Sequence, residues 1–283
     1  MSRIAIAAAM HEELGALLAA MPDERPVVIA GREFWVGHLD GHDVVAVLSR
    51  IGKVAAATTV TLLVNEFGCE RAIFTGTAGG LHPSARVGDV VVAEALLQHD
   101  MDASPIYPRH EVPLYGTDRF FADAALSRAL VEAACRVLER ATRDSDDTVS
   151  GPPRADAPVA MPDPPDTPAP GPDLDSGHLR MFSITAPRVH TGLVVSGDRF
   201  VSSAAESAEL RSRLPEALAV EMEGAALAQV CHDLGVPFAD VRTISDRADD
   251  AAHVDFPRFV EIVASRYSLA IVRTFLRALP RQS

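Results

Sequence analysis

Cysteine, aromatic residues and positive charge are all scarce in this chain of 283 residues. Its three cysteines, Cys69, Cys135 and Cys231, are far apart and form no C-x-x-C pair, which indicates a reducing compartment rather than a disulfide framework. Acidic residues number 39 against 26 lysines and arginines, and the net charge is −13. This balance argues against nucleic acid or an anionic membrane as the partner.

Long apolar runs are missing too. No stretch approaches the length of a membrane span, and the N-terminal apolar run turns acidic at Glu12, too early for the apolar region of a signal peptide. We therefore expect a soluble, cytoplasmic protein. Since 48% of the residues are hydrophobic, the chain can build a large α/β core.

Residues 143–178 differ in composition from the rest of the chain. From Arg143 to Gly177 there are eight aspartates against two arginines, many prolines and no aromatic residue, and this stretch carries −6 of the net charge. Such a segment buries too little apolar surface to offset the entropy of ordering it. Because the α/β pattern resumes afterwards, we predict a single domain over 1–283, interrupted by a disordered insertion at 143–178.

Elsewhere, short apolar runs typical of buried strands end at polar residues. The polar positions at these ends are Glu12–Glu13, Thr77, Asp198, Glu223 and Asp246. Parallel strands bring their carboxyl ends to one edge of a sheet, where open α/β folds bind ligands. We therefore expect these side chains to share one site.

The stretch Leu218–Ala226 contains the clearest of these junctions, with Glu221 and Glu223 on either side of Met222. A helix is predicted from Glu223 onward, which places this carboxylate at a helix N-terminus. Two interpretations stay open for these nine residues alone. Either Glu223 caps the helix while Glu221 is solvated, or the two carboxylates serve a ligand.

Two other patterns do not predict a ligand site. Gly52–Lys53 lacks the upstream glycine and the following Ser or Thr of a phosphate-binding loop. His99 lies among polar residues, but no second histidine stands at metal-ligand spacing, so we expect no metal.

Seven segments follow one another as they do in a known family. They are Ala9–Glu13, Ile51–Ala56, Thr75–Gly80, Val87–Val91, Val195–Asp198, Val220–Glu223 and Arg242–Asp246. With these segments the chain resembles the purine nucleoside phosphorylase superfamily, and more closely its bacterial 5′-methylthioadenosine/S-adenosylhomocysteine nucleosidases. The resemblance covers nearly everything except 143–180.

The resemblance implies a phosphorylase/hydrolase-like fold, which is a three-layer α/β/α sandwich with a central mixed sheet. It also implies a homodimer that hydrolyses the N-glycosidic bond of 5′-thioadenosines with no metal or organic cofactor. By the same resemblance, Asp246 is the acid that protonates adenine N7, and Glu13 activates the attacking water, with Arg242 and Thr77 close by. Serine is the usual residue at Thr77.

The remaining roles concern substrate binding and are likewise implied by the resemblance. Glu223 would bind the ribose hydroxyls, and Met222 would pack under the sugar. Phe200 would stack on adenine, and the backbone of Val201 would bind the edge of the adenine ring. Further substrate contacts are expected at Met10, Ile51, Phe256 and Ala248, and at Ala103, Ile106 and Pro113, of which Ile106 and Pro113 would come from the partner subunit. Core packing is the alternative for the apolar positions, Ile51 above all.

Arg50 departs from the family, where this residue is usually small. Binding of an anionic group near the sugar and pairing with an acid at the rim both stay open as explanations.

Three other functions compete with this reading. A phosphorylase would have to accommodate phosphate beside Glu12 and Glu13, which would repel it. Aminodeoxyfutalosine hydrolysis uses the same adenine and ribose contacts, so the motifs do not separate it. A nucleoside sensor without catalysis is disfavoured because Asp246, Glu13 and Glu223 are all present.

Overall fold

The computed structural model describes residues 3–143, 176–248, 256 and 258–280, and a ten-stranded mixed sheet forms its centre. The strands are β1 (Arg3–Ala8), β2 (Arg25–Ile29), β3 (Arg32–Leu39), β4 (His42–Leu48), β5 (Cys69–Gly80), β6 (Val90–Gln98), β7 (Arg119–Phe121), β8 (Val189–Ser196), β9 (Ala217–Glu221) and β10 (Phe238–Asp246). The helices are α1 (His11–Ala19), α2 (Lys53–Asn65), α3 (Ala124–Arg143), α4 (Ser176–Arg180), α5 (Ala204–Arg213), α6 (Gly224–Leu234), a π-helical turn (Val260–Ala264) and α7 (Ser265–Ala278).

The sheet consists of two parallel sets that run in opposite directions. Strands β4, β1, β5 and β10 are parallel to one another, and so are β6, β8 and β9. Antiparallel pairs β5–β9 and β10–β6 join the sets, so that β5, β9, β8, β6 and β10 close into a ring. The central mixed sheet is therefore confirmed.

The expectation that parallel strands alone would gather the polar ends at one edge is wrong. The carboxyl ends of β5 and β9 lie side by side, where Gly79 pairs with Val220 and Gly80 with Ala219. Because this pairing is antiparallel, the carboxyl ends of strands from both sets lie next to each other in the middle of the sheet. The site is thus built where two sets converge.

Helices cover both faces of the sheet. Ile4 and Ile6 of β1 pack in one core with α1, α3 and α7, whereas the alternate residues Ala5 and Ala7 pack in a second core with α2 and α6. Alternation of side chains along a strand produces this division. The three-layer α/β/α sandwich is confirmed.

Three segments differ from what the sequence pattern indicates. Strand β2 is not predicted by the pattern, because most of its residues are exposed and show no apolar alternation. The amphipathic spacing from Phe256 to Leu276 predicts one long helix, whereas the structure has a π-helical turn, Val260–Ala264, directly before α7. The insertion predicted at 143–178 lies mostly outside the described residues, although α3 extends to Arg143 and α4 begins at Ser176. Within the described part, no helix is long and apolar enough to cross a membrane.

Candidate active site

A pocket of about 150 Å³ opens where the two sets of strands converge. Nine of the predicted site residues line it: Met10, Ile51, Thr77, Phe200, Val201, Met222, Glu223, Asp246 and Phe256. Other lining residues include Arg199, Glu221 and Ser245. The sequence motifs, the first of which begins at Ala9 and the last of which ends at Asp246, therefore contribute residues to one place.

Asp246 is positioned by an irregularity at the end of β10. Ile244 pairs with Ala78 and Asp246 with the next residue, Gly79, so Ser245 is the extra residue of a bulge. Bulges re-aim side chains beside active sites. The Asp246 carboxylate accepts hydrogen bonds from Ser245 Oγ at 2.7 Å and from the N–H of Ala248 at 2.7 Å. Ala248 is fully buried and lies outside the pocket lining, so its link to the site runs through Asp246.

Glu221 is buried, with 6% of its surface exposed, which excludes the interpretation that it is solvated. Its carboxylate accepts hydrogen bonds from the N–H groups of Glu223 at 2.9 Å and of Gly224 at 2.8 Å, and from the hydroxyl of Ser196. Glu221, not Glu223, therefore caps α6 with its side chain. The Glu223 side chain is left available for a ligand.

The Glu223 side chain reaches the N-terminus of α2. Its Oε1 accepts a hydrogen bond from the N–H of Gly52 at 2.8 Å. Gly52 has φ of +96°, a conformation that favours glycine and points this N–H at the carboxylate. Burial, and the charge of Glu221 nearby, raise the pKa of Glu223.

The next amide of α2 is also used by a carboxylate. The N–H of Lys53 donates to Asp198 Oδ1 at 2.8 Å, while Lys53 Nζ donates to Asp100 and to Gln98 Oε1 at 3.2 Å. The Gly52–Lys53 pair thus binds carboxylates of the chain itself. This agrees with rejecting a phosphate-binding loop here.

Glu13 and Arg242 lie outside the pocket lining and converge beside Gly76. A Cβ added at Gly76 would lie 2.5 Å from Arg242 Nη1 and 3.7 Å from Glu13 Oε2. Both side chains are fully buried. Glu13 Oε1 and Arg242 Nη1 have no hydrogen-bond partner among the described residues. The guanidinium packs directly against the Gly76 backbone. Buried polar atoms rarely stay unpaired, so the two unpaired atoms suit a small polar partner such as water.

The acid–base state of Glu13 follows from its burial. Burial raises the pKa of Glu13 to about 8, against the opposing effects of the Arg242 charge and the Met10 N–H. Desolvation penalises the charged form of a carboxyl group, and here it outweighs the cation. The pKa of Glu13 therefore lies close to neutral pH, as catalysis by a general base requires.

Three predicted contacts lie away from the pocket in this chain. Ala103, Ile106 and Pro113 belong to the segment between β6 and β7, and Ile106 is 83% exposed. Ile51, by contrast, lines the pocket and is 61% exposed, so core packing does not account for it.

Neither explanation offered for Arg50 agrees with its contacts. Its guanidinium donates to the carbonyl oxygen of Gly31, and the residue lies outside the pocket lining. The arginine that does line the pocket is Arg199, which also pairs with Glu206.

Sequence reasoning missed several polar residues that support the site: Ser196, Asp240 and Ser245. Asp240 carried a usable signal, because it stands two residues before Arg242 in an apolar strand and so shares its face. Within the described ranges, no group of three or more His, Cys, Asp or Glu side chains could hold a metal ion.

Comparison with known proteins identifies relatives over nearly the whole chain. The Phosphorylase superfamily profile matches residues 3–277. A 5′-methylthioadenosine/S-adenosylhomocysteine nucleosidase of Geobacillus thermodenitrificans (strain NG80-2) is 34% identical over 275 residues, 97% of this chain and 96% of the relative.

Solved structures of related enzymes are similar to this chain over nearly its whole length. The same enzyme of Neisseria meningitidis, in complex with methylthio-immucillin-A, has a TM-score of 0.75 at 32% identity, covering 99% of this chain and 100% of that one. Futalosine hydrolase of Helicobacter pylori strain 26695 also has a TM-score of 0.75, at 26% identity and 98% coverage of both chains. The chain therefore belongs to the phosphorylase superfamily.

Proposed function

We propose that this chain hydrolyses the N-glycosidic bond of 5′-methylthioadenosine and S-adenosylhomocysteine, releasing adenine and the thioribose product. The observation that carries the proposal is a set of three buried carboxyl groups that follow three different strands. Asp246 and Glu223 line the pocket, and Glu13 lies outside the lining, beside Gly76. Buried carboxylates are costly unless they are used. The nucleosidases that are 32–34% identical over almost the full length support the same activity.

Asp246 acts on the leaving group. Its proton passes to adenine N7 as the C1′–N9 bond breaks, so the bonding electrons leave on a neutral base. Ser245 Oγ and the Ala248 N–H hold the carboxylate in place during this step. Phe200 lines the pocket next to Phe256, with ring centroids 6.0 Å apart, and offers adenine an aromatic face.

Glu223 acts on the sugar. A carboxylate accepts hydrogen bonds from ribose hydroxyls, and its negative charge stabilises the positive charge that develops at C1′. The N–H of Gly52 occupies one oxygen and orients the group. Met222 lines the same side of the pocket.

Glu13 acts on the nucleophile. A water beside Gly76 would give its proton to Glu13 as its oxygen bonds to C1′, while the unpartnered Arg242 Nη1 donates to that oxygen. Thr77, the next residue along β5, lines the pocket and supplies a hydroxyl nearby. The step needs no group beyond these side chains and water.

Phosphate is the alternative nucleophile, and the electrostatics disfavour it. The amides at the start of α2 are occupied by Glu223 and Asp198, and the nucleophile's side of the site presents Glu13. Glu13 must be ionised to act as the base, and an ionised carboxylate about 4 Å from a phosphate dianion costs several kcal/mol even near a surface. The test is adenine release from methylthioadenosine with and without phosphate. We expect equal rates, and a strict phosphate requirement with ribose-1-phosphate as product would refute hydrolysis.

Aminodeoxyfutalosine hydrolysis is the second candidate, because Arg199 places a cation at the pocket that could attract a carboxylated 5′ substituent. The similarity to futalosine hydrolase supports considering it. Met10, Ile51 and Phe256 favour a thioether instead. Comparing kcat/KM for methylthioadenosine, S-adenosylhomocysteine and aminodeoxyfutalosine separates the two.

A homodimer is part of the proposal. The segment between β6 and β7 exposes Ile106 and Leu114, by 83% and 89%, and Val54 of α2 is 78% exposed. A partner covering these residues would bury apolar surface and could bring its own Ile106 and Pro113 to this pocket. Analytical ultracentrifugation tests this, and a monomer with full activity would refute it.

A further inference from the structure

Asp240 is a fully buried carboxyl group outside the roles described so far. It stands on β10 two residues before Arg242, so both side chains leave the same face of the strand. Asp240 Oδ2 accepts from Arg242 Nη2 at 2.8 Å and from Nε at 3.1 Å, and Oδ1 accepts from Nε at 3.1 Å. This two-pronged pairing is the geometry that fixes a guanidinium best.

Glu221 and Phe74 also hold the Arg242 guanidinium in place. Nη2 also lies 2.8 Å from Glu221 Oε2, and the Phe74 ring lies under the guanidinium with 4.0 Å between Cζ and the ring centroid. Nε and Nη2 are thus occupied. Among the nitrogen atoms of this guanidinium, Nη1 alone has no hydrogen-bond partner within the described residues, and it packs against Gly76 near Glu13.

The same two carboxyl groups, Asp240 and Glu221, place negative charge beside the Arg242 guanidinium, which itself acts on Glu13. The charged groups acting on Glu13 are Arg242 from β10, Glu12 from α1 and Glu223 from the start of α6. Arg242 lowers the pKa of Glu13 against burial. Asp240 and Glu221 oppose this effect, because each places a negative charge against the guanidinium.

We propose that Asp240 is a positioning residue for the hydrolysis. It holds the Arg242 guanidinium so that Nη1 can donate to the attacking water near Gly76. Its negative charge also weakens the effect of the positive charge of Arg242 on Glu13. The inference rests on the proposed function, in which Glu13 accepts the proton of water.

Asp240→Asn and Asp240→Glu separate the two parts of this role. Asparagine keeps the size and removes the charge. The positive charge of Arg242 then lowers the pKa of Glu13 further. The acid limb of the pH profile of kcat/KM should therefore move to lower pH by about 0.5–1 unit. In addition, kcat at its plateau should fall about tenfold, with KM within about twofold, because Nη1 loses its orientation. Glutamate keeps the charge but misplaces it, so the limb should stay while kcat falls.

The assay is adenine release from methylthioadenosine between pH 5 and 9, with melting temperatures measured alongside. If Asp240→Asn does not fold, Asp240→Val removes the charge with a residue suited to a strand, and the same shift of the acid limb is expected. An unmoved acid limb in an active, folded variant overturns the inference, whether or not the melting temperature falls. Wild-type protein that releases no adenine at any pH would instead refute the proposed function.

Discussion

Glu223 accepts a hydrogen bond of 2.8 Å from the N–H of Gly52, although 171 positions separate the two residues in the chain. The bond joins the end of β9 to the start of α2 across the pocket. Because Glu221 caps α6, Glu223 is released from capping its own helix and can turn toward the ribose side of the site. Two acids on either side of Met222 therefore have two different tasks: Glu221 stabilises the start of α6, and Glu223 faces the ligand.

Asp246→Asn tests the assigned acid. The amide keeps the shape and can still accept from Ala248, but it has no proton to deliver to N7. Protonation by a positioned acid is worth about 10²–10⁴-fold, so kcat should fall at least a hundredfold. Nucleoside affinity and melting temperature should change little. Asp23→Asn, at an exposed aspartate paired with His38, is the matched control and should keep wild-type activity. Near-full activity of Asp246→Asn would place the acid elsewhere.

Glu13→Gln should abolish hydrolysis and stabilise the protein at alkaline pH. The folded pKa of about 8 exceeds the ordinary value of 4.5, so the folded protein holds one more proton than the unfolded chain between these values. Wild-type stability therefore falls as pH rises through this window, whereas glutamine carries no such penalty. From pH 5 to pH 9 the variant should gain about 1–3 kcal/mol over wild type, or about 2–4 °C in melting temperature per kcal/mol.

Glu12→Gln is the matched control for this prediction. Glu12 precedes Glu13 on α1 and is exposed. The substitution should leave activity close to wild type and change the pH dependence of melting far less than Glu13→Gln does, because the charge of Glu12 has a smaller effect on the pKa of Glu13 than burial has. Parallel melting curves for wild type and Glu13→Gln at pH 5 and pH 9 would show that Glu13 is ionised normally in the folded protein.

Site residues could be predicted from the sequence where motifs mark the ends of strands. Features that depend on which strands are neighbours in the fold could not be predicted. Thr77, Glu223 and Asp246 could be predicted because polar residues after apolar runs are visible locally. The antiparallel meeting of β5 and β9 was not predictable in this way, since strand direction depends on which distant strand is the neighbour. The same applies to Arg50, whose binding to the Gly31 carbonyl oxygen depends on a neighbouring hairpin.

Gly76→Ala should inactivate the enzyme by displacing the Arg242 guanidinium, which packs against the Gly76 backbone. The new Cβ would lie 2.5 Å from Arg242 Nη1, a separation that forces the buried guanidinium to move. We expect at least a tenfold loss of kcat, since catalytic groups tolerate little displacement. Gly15→Ala is the control. It lies within α1 with nothing within 4 Å of the added Cβ, so it should stabilise the helix by about 0.5–1 kcal/mol and leave kcat unchanged. Normal turnover by Gly76→Ala would exclude a nucleophile at this position.

Removing residues 145–175 tests the composition-based prediction for the insertion. These residues carry mostly Asp, Pro and Ala, so few buried contacts should be lost. The deletion keeps α4, including its buried Leu179. Activity, melting temperature and oligomeric state should match those of the full chain. A protein that aggregates or loses activity would show that the segment contributes to the fold.

Arg199→Ala should distinguish the two thioadenosine substrates. Arg199 lines the pocket, whereas Arg50 donates to the Gly31 carbonyl oxygen outside it. S-Adenosylhomocysteine ends in an amino-acid carboxylate, and methylthioadenosine ends in an uncharged methyl group. The Arg199 side chain is largely exposed and already paired with Glu206, so its attraction for the carboxylate is worth at most about 1 kcal/mol. The KM for S-adenosylhomocysteine should therefore rise by about two- to fivefold, with the KM for methylthioadenosine unchanged. Arg50→Ala should change neither value. Equal effects of Arg199→Ala on both substrates would show that Arg199 contacts the adenosine end instead.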